Sequence, residues 1–481
     1  MAPPRSAAAA KRQAAAHVVL GEECLRLNPA DGTIASRVPA LRAAEARKVA
    51  SRAALAFASW SRESGAARAA ILRRAAALMQ QDRARLGMLM RDEIGATQAW
   101  QDFNLDQAIW QLEAAATLAQ NLSPEPVPDA GGHNLVFREA AGVCLGIAPW
   151  NAPLALGVRA VATALACGNA AILKASEICA GSHLAIGDIL SAAGLPPCVL
   201  NIVTHAPEHA EEVVEALISH EVVRRVNFTG SSRVGRRVAE MAASGLKRCL
   251  LALSGKATML VLEDADLEAA AQAAAYGAFL NQGQVCMSTD RIIVADAIAD
   301  RFIALLQAEA ESLRAGPPEE GARLGPLVSE AAALRLEDMI REAEARGARR
   351  ICGGARRGTF MDATVMDHVE PGMRLYSEEL FGPVVAICRA ASEAEAISIA
   401  NDSAYGLTSA IWSRDTARAL ALCRQIDAGS CHINAPTLID RPDMPVGGVK
   451  DSGYGRFGGL AALDEFTELR WVSTSSPLGQ P

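Results

Sequence analysis

VNFTGSSRVGRRV, residues 226–238, passes from an apolar run through a turn of small residues into a segment with apolar residues at helical spacing. Gly230 and Gly235 bracket Ser231, Ser232, Arg233 and Val234, so the pattern is strand, turn, helix. Small residues at a helix N-terminus let backbone N–H groups and the helix dipole meet a phosphate. The G-x-x-x-x-G spacing is not followed by the Lys-Ser/Thr of an ATP-binding P-loop, and it lacks the third glycine of the usual dinucleotide fingerprint. Taken alone the stretch reads first as a plain β–α connection, with a phosphate site as the second reading. Its surroundings decide the fold.

Outward from it, short apolar runs alternate with helical ones. GVCLGIA (142–148), AAILK (170–174), VLNIV (199–203), RVNFTG (225–230), TMLVLE (258–263) and RIIVA (291–295) predict strands. VGRRVAEMAASG (234–245) and LEAAAQAAAYGAFL (267–280) predict helices between them. Apolar strands alternating with helices indicate parallel sheets covered on both faces, an α/β architecture. Such folds place function at the carboxyl ends of their strands. Nearer the N-terminus, residues 66–90 set Ile71, Leu72, Ala75, Leu78 and Met79 on one apolar helical face.

At 481 residues the chain predicts two to three units. It is 51% hydrophobic and only 4% aromatic, so Ala, Val and Leu must build most of the core. A net charge of −7 gives no electrostatic case for nucleic acid, and no long Lys/Arg block suggests a membrane surface. The Ala-rich residues 1–20 are broken by Lys11, Arg12 and His17, which suits a loosely packed leader rather than a signal peptide. The uncharged stretch 140–158 contains Pro149, Asn151 and Pro153 and is too broken for a membrane span. Eleven cysteines without C-x-x-C spacing argue against a disulfide framework or a zinc site and fit a reducing cytoplasm.

Several strand ends carry chemistry-bearing residues. ILKASE (172–177) presents Lys174, Ser176 and Glu177; a carboxylate there can hold ribose hydroxyls and repel a 2′-phosphate, or it is a solvated charged loop. APWNAPL (148–154) holds Asn151 between two stiffening prolines, as an oxyanion donor or an Asx-type turn. LNQGQVCMSTDR (280–291) puts Cys286 on a turn before a strand, where a thiol gains exposure. Cys144, Cys167, Cys198, Cys249 and Cys388 lie within apolar runs and read as small buried hydrophobes. EELFGP (378–383) and the Gly-rich PVGGVKDSGYGRFGG (445–459) complete the set.

In combination PWN, LKASE, FTGSSRVG, LSGK, NQGQVC, EELFGP and GGVKDSGYGR resemble the NAD(P)-dependent aldehyde dehydrogenase superfamily, over nearly the whole chain from residue 28 to residue 472. The resemblance implies an α/β fold with a Rossmann-like NAD-binding domain (1–118 and 141–252), an α/β catalytic domain (253–450) and a small β oligomerisation flap (119–140 and 467–481). It implies a homodimer or homotetramer. It makes Cys286 the nucleophile and the Asn151 amide with the Cys286 N–H the oxyanion donors. Lys174, Glu177 and Glu379 would hold ribose hydroxyls, with Glu177 favouring NAD over NADP. Gly230, Ser231 and Gly235 would lie by the pyrophosphate and Phe381 beside the nicotinamide, with Ile147, Ala148, Pro149, Trp150, Ser176 and Leu253 along the rest of the cofactor path.

The chain looks most like the branch that oxidises aromatic aldehydes of the benzaldehyde, salicylaldehyde and vanillin type. Arg159 stands where many aliphatic-aldehyde members carry tryptophan; it either meets a ring substituent or structures the tunnel wall. Trp100, Phe103, Val285 and Met287 are further tunnel candidates, and Val446 replaces an aromatic of the family pattern. One motif departs. The family's Glu-Leu-Gly-Gly-Lys is Ala252-Leu253-Ser254-Gly255-Lys256 here, so the glutamate that activates the deacylating water is missing. Four accounts fit. Residue 252 is an introduced replacement; another carboxylate, Glu468 first, serves instead; the acyl group passes to a thiol such as coenzyme A; or the chain binds NAD without catalysis.

Overall fold

The computed structural model describes residues 17–20, 23–120, 122, 125–126 and 134–475. A six-stranded sheet runs in the order Gly453–Tyr454, Arg248–Ala252, Val223–Thr229, Val143–Ile147, Ala170–Lys174, Leu200–Val203. All neighbours are parallel except Gly453–Tyr454. The sequence order of the strands reverses at Val143–Ile147, beside Val223–Thr229. Loops leaving these two carboxyl ends therefore diverge and leave a crevice at a topological switch point.

Alternation along one strand shows why these sequences are apolar throughout. Ala170 and Ile172 join a cluster with Ala46, Ala50 and Val238 on one face, and Ala171 and Leu173 join Leu154 and Val161 on the other. The helix Pro153–Ala166, opened by proline in its first turn, lies on the second face. It sits close: a Cβ at Gly146 would run into Ala160, and Asn227 Nδ2 donates to the Ala160 carbonyl at 3.0 Å.

A seven-stranded sheet follows, in the order Arg349–Cys352, Thr364–Asp367, Val384–Ala390, Thr289–Ala295, Ala257–Val261, Thr408–Trp412, Ser430–Ile433. Only Arg349–Cys352 is antiparallel to its neighbour. Thr467–Ser473 pairs antiparallel with Asn134–Ala140, and Glu125–Pro126 completes that small sheet. Among the described residues no helix is long and apolar enough to cross a membrane.

All six expected strands and both expected helices are present within two residues at each end. Three expectations need correction. Residues 66–90 form two helices, Gly65–Gln81 and Arg83–Ile94, broken at Asp82, whose backbone at φ −92, ψ 15 leaves helical geometry and whose carboxylate accepts Arg85 Nε at 2.7 Å. The leader ends in order: His17–Leu20 is a strand paired with Glu23–Leu27, itself paired with Ile34–Pro39. Residues 1–16, and residues 121, 123–124, 127–133 and 476–481 of the expected flap, lie outside the described residues. Cys144, Cys167 and Cys388 are buried, but Cys198 and Cys249 are partly exposed. Cys198 occupies a turn at φ +64, and Cys249 lies near the open start of the strand Arg248–Ala252.

Candidate active site

Cys286 owes its position to a strained turn. Asn281, Gln282 and Gly283 follow one another at φ 52, 55 and 66, between the helix Leu267–Phe279 and the strand Thr289–Ala295. Left-handed non-glycine residues cost of order 1–3 kcal/mol each and persist only where neighbours hold them. Here the neighbours are explicit. Asn281 Nδ2 donates to the Asn151 carbonyl at 3.2 Å, Gln282 Nε2 to the Pro326 carbonyl at 2.9 Å, and Gln284 Oε1 accepts the Val328 N–H at 2.9 Å.

The turn delivers Cys286 to a cleft of about 300 Å3 at the switch point. Pro149, Trp150 and Asn151 enter it from the end of Val143–Ile147; Thr229, Gly230 and Ser231 from the end of Val223–Thr229; Ala252, Leu253 and Ser254 from the end of Arg248–Ala252. Glu379 and Phe381 close it from the loop that leads into the strand Val384–Ala390. Phe381 is held at φ +50 and meets Trp150 edge-to-face at 5.6 Å.

Asn151 is buried, and its amide nitrogen donates to the Gln284 carbonyl at 2.9 Å. An amide nitrogen carries two donors, so one remains for the cleft. The Asn151 carbonyl accepts Trp100 Nε1 at 2.8 Å. Cys286 is partly exposed on the cleft, yet the packing around its sulfur, and secondarily the charge of Glu379, pushes the thiol up to about 12. Arg159 pulls the other way. Burial likewise pushes the Glu379 carboxyl up to about 7, although the Gly255 N–H donates to its Oε1 at 3.0 Å.

The remaining cofactor candidates lie on the same sheet edge. Ser231 caps the helix Ser232–Ser244, and a Cβ at Gly235 would strike Leu253, so that helix starts close against the strand end. Ile147 and Ala148 are buried at the base of the crevice. Lys174 Nζ stands 3.9 Å from Glu177, which also lies 4.0 Å from His205. Burial lowers the Lys174 ammonium below its ordinary value. Ser176 Oγ accepts the Ile178 N–H and fixes the turn carrying Glu177.

Of the tunnel candidates, Trp100, Val285 and Met287 belong to one apolar cluster, with Phe103 and Cys286 packed against it. Trp100 and Phe103 stack at 4.9 Å. Arg159 forms a buried ion pair with Asp440 and lies 5.7 Å over the Phe457 ring. Val446 and Phe457 line the same small pocket as this pair and Gln111. Gln111 Oε1 and Nε2 and Asp440 Oδ1 are buried without a hydrogen-bond partner there. Glu468 is not on the cleft: it pairs with Arg225 at 2.7 Å, and its side chain is half exposed. Asp440 and Gln111 escaped the sequence reading. A buried arginine implies a carboxylate partner, but nothing in the sequence selects residue 440 for residue 159.

The profile of the aldehyde dehydrogenase family matches residues 20–472. The chain is 47% identical over 453 residues to a vanillin dehydrogenase of Pseudomonas fluorescens, covering 93% of each protein. It is 40% identical to a salicylaldehyde dehydrogenase of Pseudomonas putida, covering 93% of this chain and 94% of that protein. The crystal structure of a salicylaldehyde dehydrogenase from Pseudomonas putida G7, complexed with salicylaldehyde, superposes with a TM-score of 0.92 over 95% of both chains at 40% identity.

Proposed function

The chain belongs to the aldehyde dehydrogenase family, and from that premise we propose that it oxidises an aromatic aldehyde of the benzaldehyde, salicylaldehyde or vanillin type to the carboxylic acid, with NAD as cofactor. The observation that carries this reading is the convergence of Cys286, the spare Asn151 donor, Glu379 and Phe381 on one cleft. The two relatives named above act, by name, on vanillin and salicylaldehyde.

The Cys286 thiol loses its proton to solvent as its Sγ bonds to the aldehyde carbon. The carbonyl oxygen then takes charge, and the Asn151 amide with the Cys286 N–H receives it without reorganising, since Gln284, Asn281 and Trp100 already fix Asn151. Collapse of this adduct expels hydride and leaves a thioester on Cys286, which water cleaves. The crevice fits a dinucleotide: a capped helix N-terminus faces it beside Gly230, and Lys174 and Glu177 stand at the adjacent strand end. Gly230, Ser231 and Gly235 would hold its pyrophosphate, and Lys174, Glu177 and Glu379 its ribose hydroxyls. When bound, its nicotinamide supplies the hydride acceptor.

The aldehyde's ring would lie toward Trp100, Phe103, Val285 and Met287. The Arg159–Asp440 pair acts as polar wall, with Gln111 and Asp440 Oδ1 offering unmet hydrogen-bonding capacity to a ring substituent. We read residues 1–118 and 141–252 as the cofactor domain, 253–450 as the catalytic domain, and 119–140 with 467–481 as the flap. Assembly is as a homodimer or homotetramer through that flap, in the cytoplasm.

Ala252 cannot accept a proton, and general-base catalysis is typically worth about 10²- to 10⁴-fold. It favours a second reading in which a thiol such as coenzyme A takes the acyl group. Rapid mixing of the enzyme with benzaldehyde and NAD separates these readings. The expected result is a burst near one NADH per site, then slow turnover that Ala252→Glu accelerates. Acceleration by coenzyme A supports the second reading. The absence of a burst in both the parent and Ala252→Glu would sink the oxidation itself.

A further inference from the structure

The chain departs twice within one short motif, at Ala252 and Ser254, and both residues line the cleft. The second departure touches a carboxylate. Ser254 lines the cleft with Glu379 and pulls its carboxyl downward, and the neighbouring Gly255 N–H donates to Glu379 Oε1 at 3.0 Å. Gly255 in turn lies so close to the Cys286 carbonyl oxygen that a Cβ there would run into it. One two-residue segment therefore bridges the carboxylate and the backbone of the thiol residue, in a cleft that both side chains line.

We propose that Glu379 is the general base for deacylation in this chain, with Ser254 as its positioning residue, and that this pair takes the place of the carboxylate absent at Ala252. The proposal rests on the Cys286 thioester reading above. Other groups around Glu379 agree with the role. Lys256 and Asp290 form a buried pair at 3.6 Å behind it, and Arg335 donates to its backbone carbonyl at 3.3 Å rather than to the carboxylate. Cys286 and Tyr405 also feel its charge. Burial first, and Asp290 after it, raise the carboxyl to about 7, while Gly255, Ser254 and Lys256 pull it down. A base titrating near the working pH is well matched to proton transfer.

In the step, water gives a proton to the Glu379 carboxylate as its oxygen bonds to the thioester carbon. The Asn151 amide holds the resulting oxyanion. The C–S bond then breaks, the sulfur leaves with the electron pair, and the proton on Glu379 passes to it. The products are a carboxylic acid, which ionises in solution, and the free thiol. No oxidant is consumed. Holding a ribose hydroxyl and accepting this proton fall at different stages, because deacylation follows hydride transfer.

Hydrolysis of p-nitrophenyl acetate without cofactor isolates the step. The p-nitrophenolate burst reports acylation of Cys286, and the steady phase reports deacylation. The steady rate of the parent should rise through a midpoint near pH 7. Glu379→Gln should still release one p-nitrophenolate per site while its steady phase falls about 10²-fold. Ser254→Gly removes a hydroxyl that pulls the carboxyl down and should move the pH midpoint upward. A Glu379→Gln steady phase equal to the parent's, after an intact burst, overturns the proposal and leaves the Cys286 reading standing. If that variant does not fold, the Ser254→Gly profile decides, and an unmoved midpoint overturns it. No burst from the parent overturns the Cys286 reading and this proposal together.

Discussion

Asn151 is fixed by three contacts. Trp100 Nε1 and Asn281 Nδ2 hold its backbone carbonyl, and the Gln284 carbonyl takes one hydrogen of its side-chain amide. A donor fixed in this way stabilises developing charge at no cost in reorganisation. Asn151→Ala should therefore lower the single-turnover rate of NADH formation by about 10²- to 10³-fold, with NAD affinity, followed by fluorescence titration, left in place. A fall in affinity matching the fall in rate would mean that Asn151 serves binding instead. Trp100→Phe is a milder test of the same contacts. It removes one N–H from the Asn151 carbonyl and leaves the Asn281 bond, so the rate should drop roughly fivefold, the worth of one ordinary hydrogen bond. An unchanged rate would mean that Asn281 alone suffices to hold the Asn151 backbone carbonyl. That Cys286 and Asn151 meet on one cleft was legible because motif order exposed them. The contacts that aim Asn151 were not, since Trp100, Asn281 and Gln284 meet it only through tertiary folding.

The turn Asn281–Gln282–Gly283 carries the same argument to the element. Gly283 sits at φ +66 with its Cα against the Gly382 carbonyl oxygen, where a Cβ would collide. Gly283→Ala adds both strain and a clash, at a cost of order 1–3 kcal/mol for the backbone alone. The variant should melt earlier in calorimetry and lose its NADH burst amplitude; full burst amplitude would show that Cys286 does not depend on this turn. Elements themselves were readable where burial on both faces demands continuous apolar runs, as in Val143–Ile147 and Ala170–Lys174. The break at Asp82 and the strand His17–Leu20 were not, because a polar residue inside a helical pattern and a strand after an Ala-rich leader are settled by packing partners. Buried histidines near the end of the strand Ala170–Lys174 give a pH prediction. Burial, with Lys174 second, lowers His183 to about 3 and His205 to about 4, against 6.5 when unfolded. Between those values the unfolded chain binds protons that the folded chain refuses, so these groups contribute stability above pH 6.5 that is lost as pH falls. Glu379 works oppositely: its folded value near 7 favours the folded state as pH drops toward 4.5. His183→Gln should thus show a smaller loss of urea midpoint between pH 7 and pH 5 than the parent. An equal loss would place the acid sensitivity elsewhere.

On the scale of the whole molecule, the small sheet poses the last question. Thr467–Ser473 is its edge strand, paired only with Asn134–Ala140 among the described residues. Leu469 is 61% exposed and Trp471 72% exposed, and side chains two residues apart on a strand share a face. Trp471 Nε1 donates to Asn134 Oδ1 at 2.7 Å, so the indole is held in place rather than left to drift. An open edge carrying large apolar side chains is a surface that soluble chains usually cover. The strand is also tied inward, since Glu468 at its start pairs with buried Arg225 on the strand Val223–Thr229 of the six-stranded sheet. A second copy of the chain docking on this edge would therefore be anchored to the six-stranded sheet of the first. Light scattering should give twice the chain mass or more for the parent. Leu469→Glu with Trp471→Glu should move the protein toward the monomer, because two carboxylates on the docking face would have to be desolvated unpaired. The NADH burst per site should survive that change, since neither residue lines the cleft. A parent of single-chain mass would remove the flap as an assembly surface. A variant that keeps the parent's mass would move the interface to another face of the molecule.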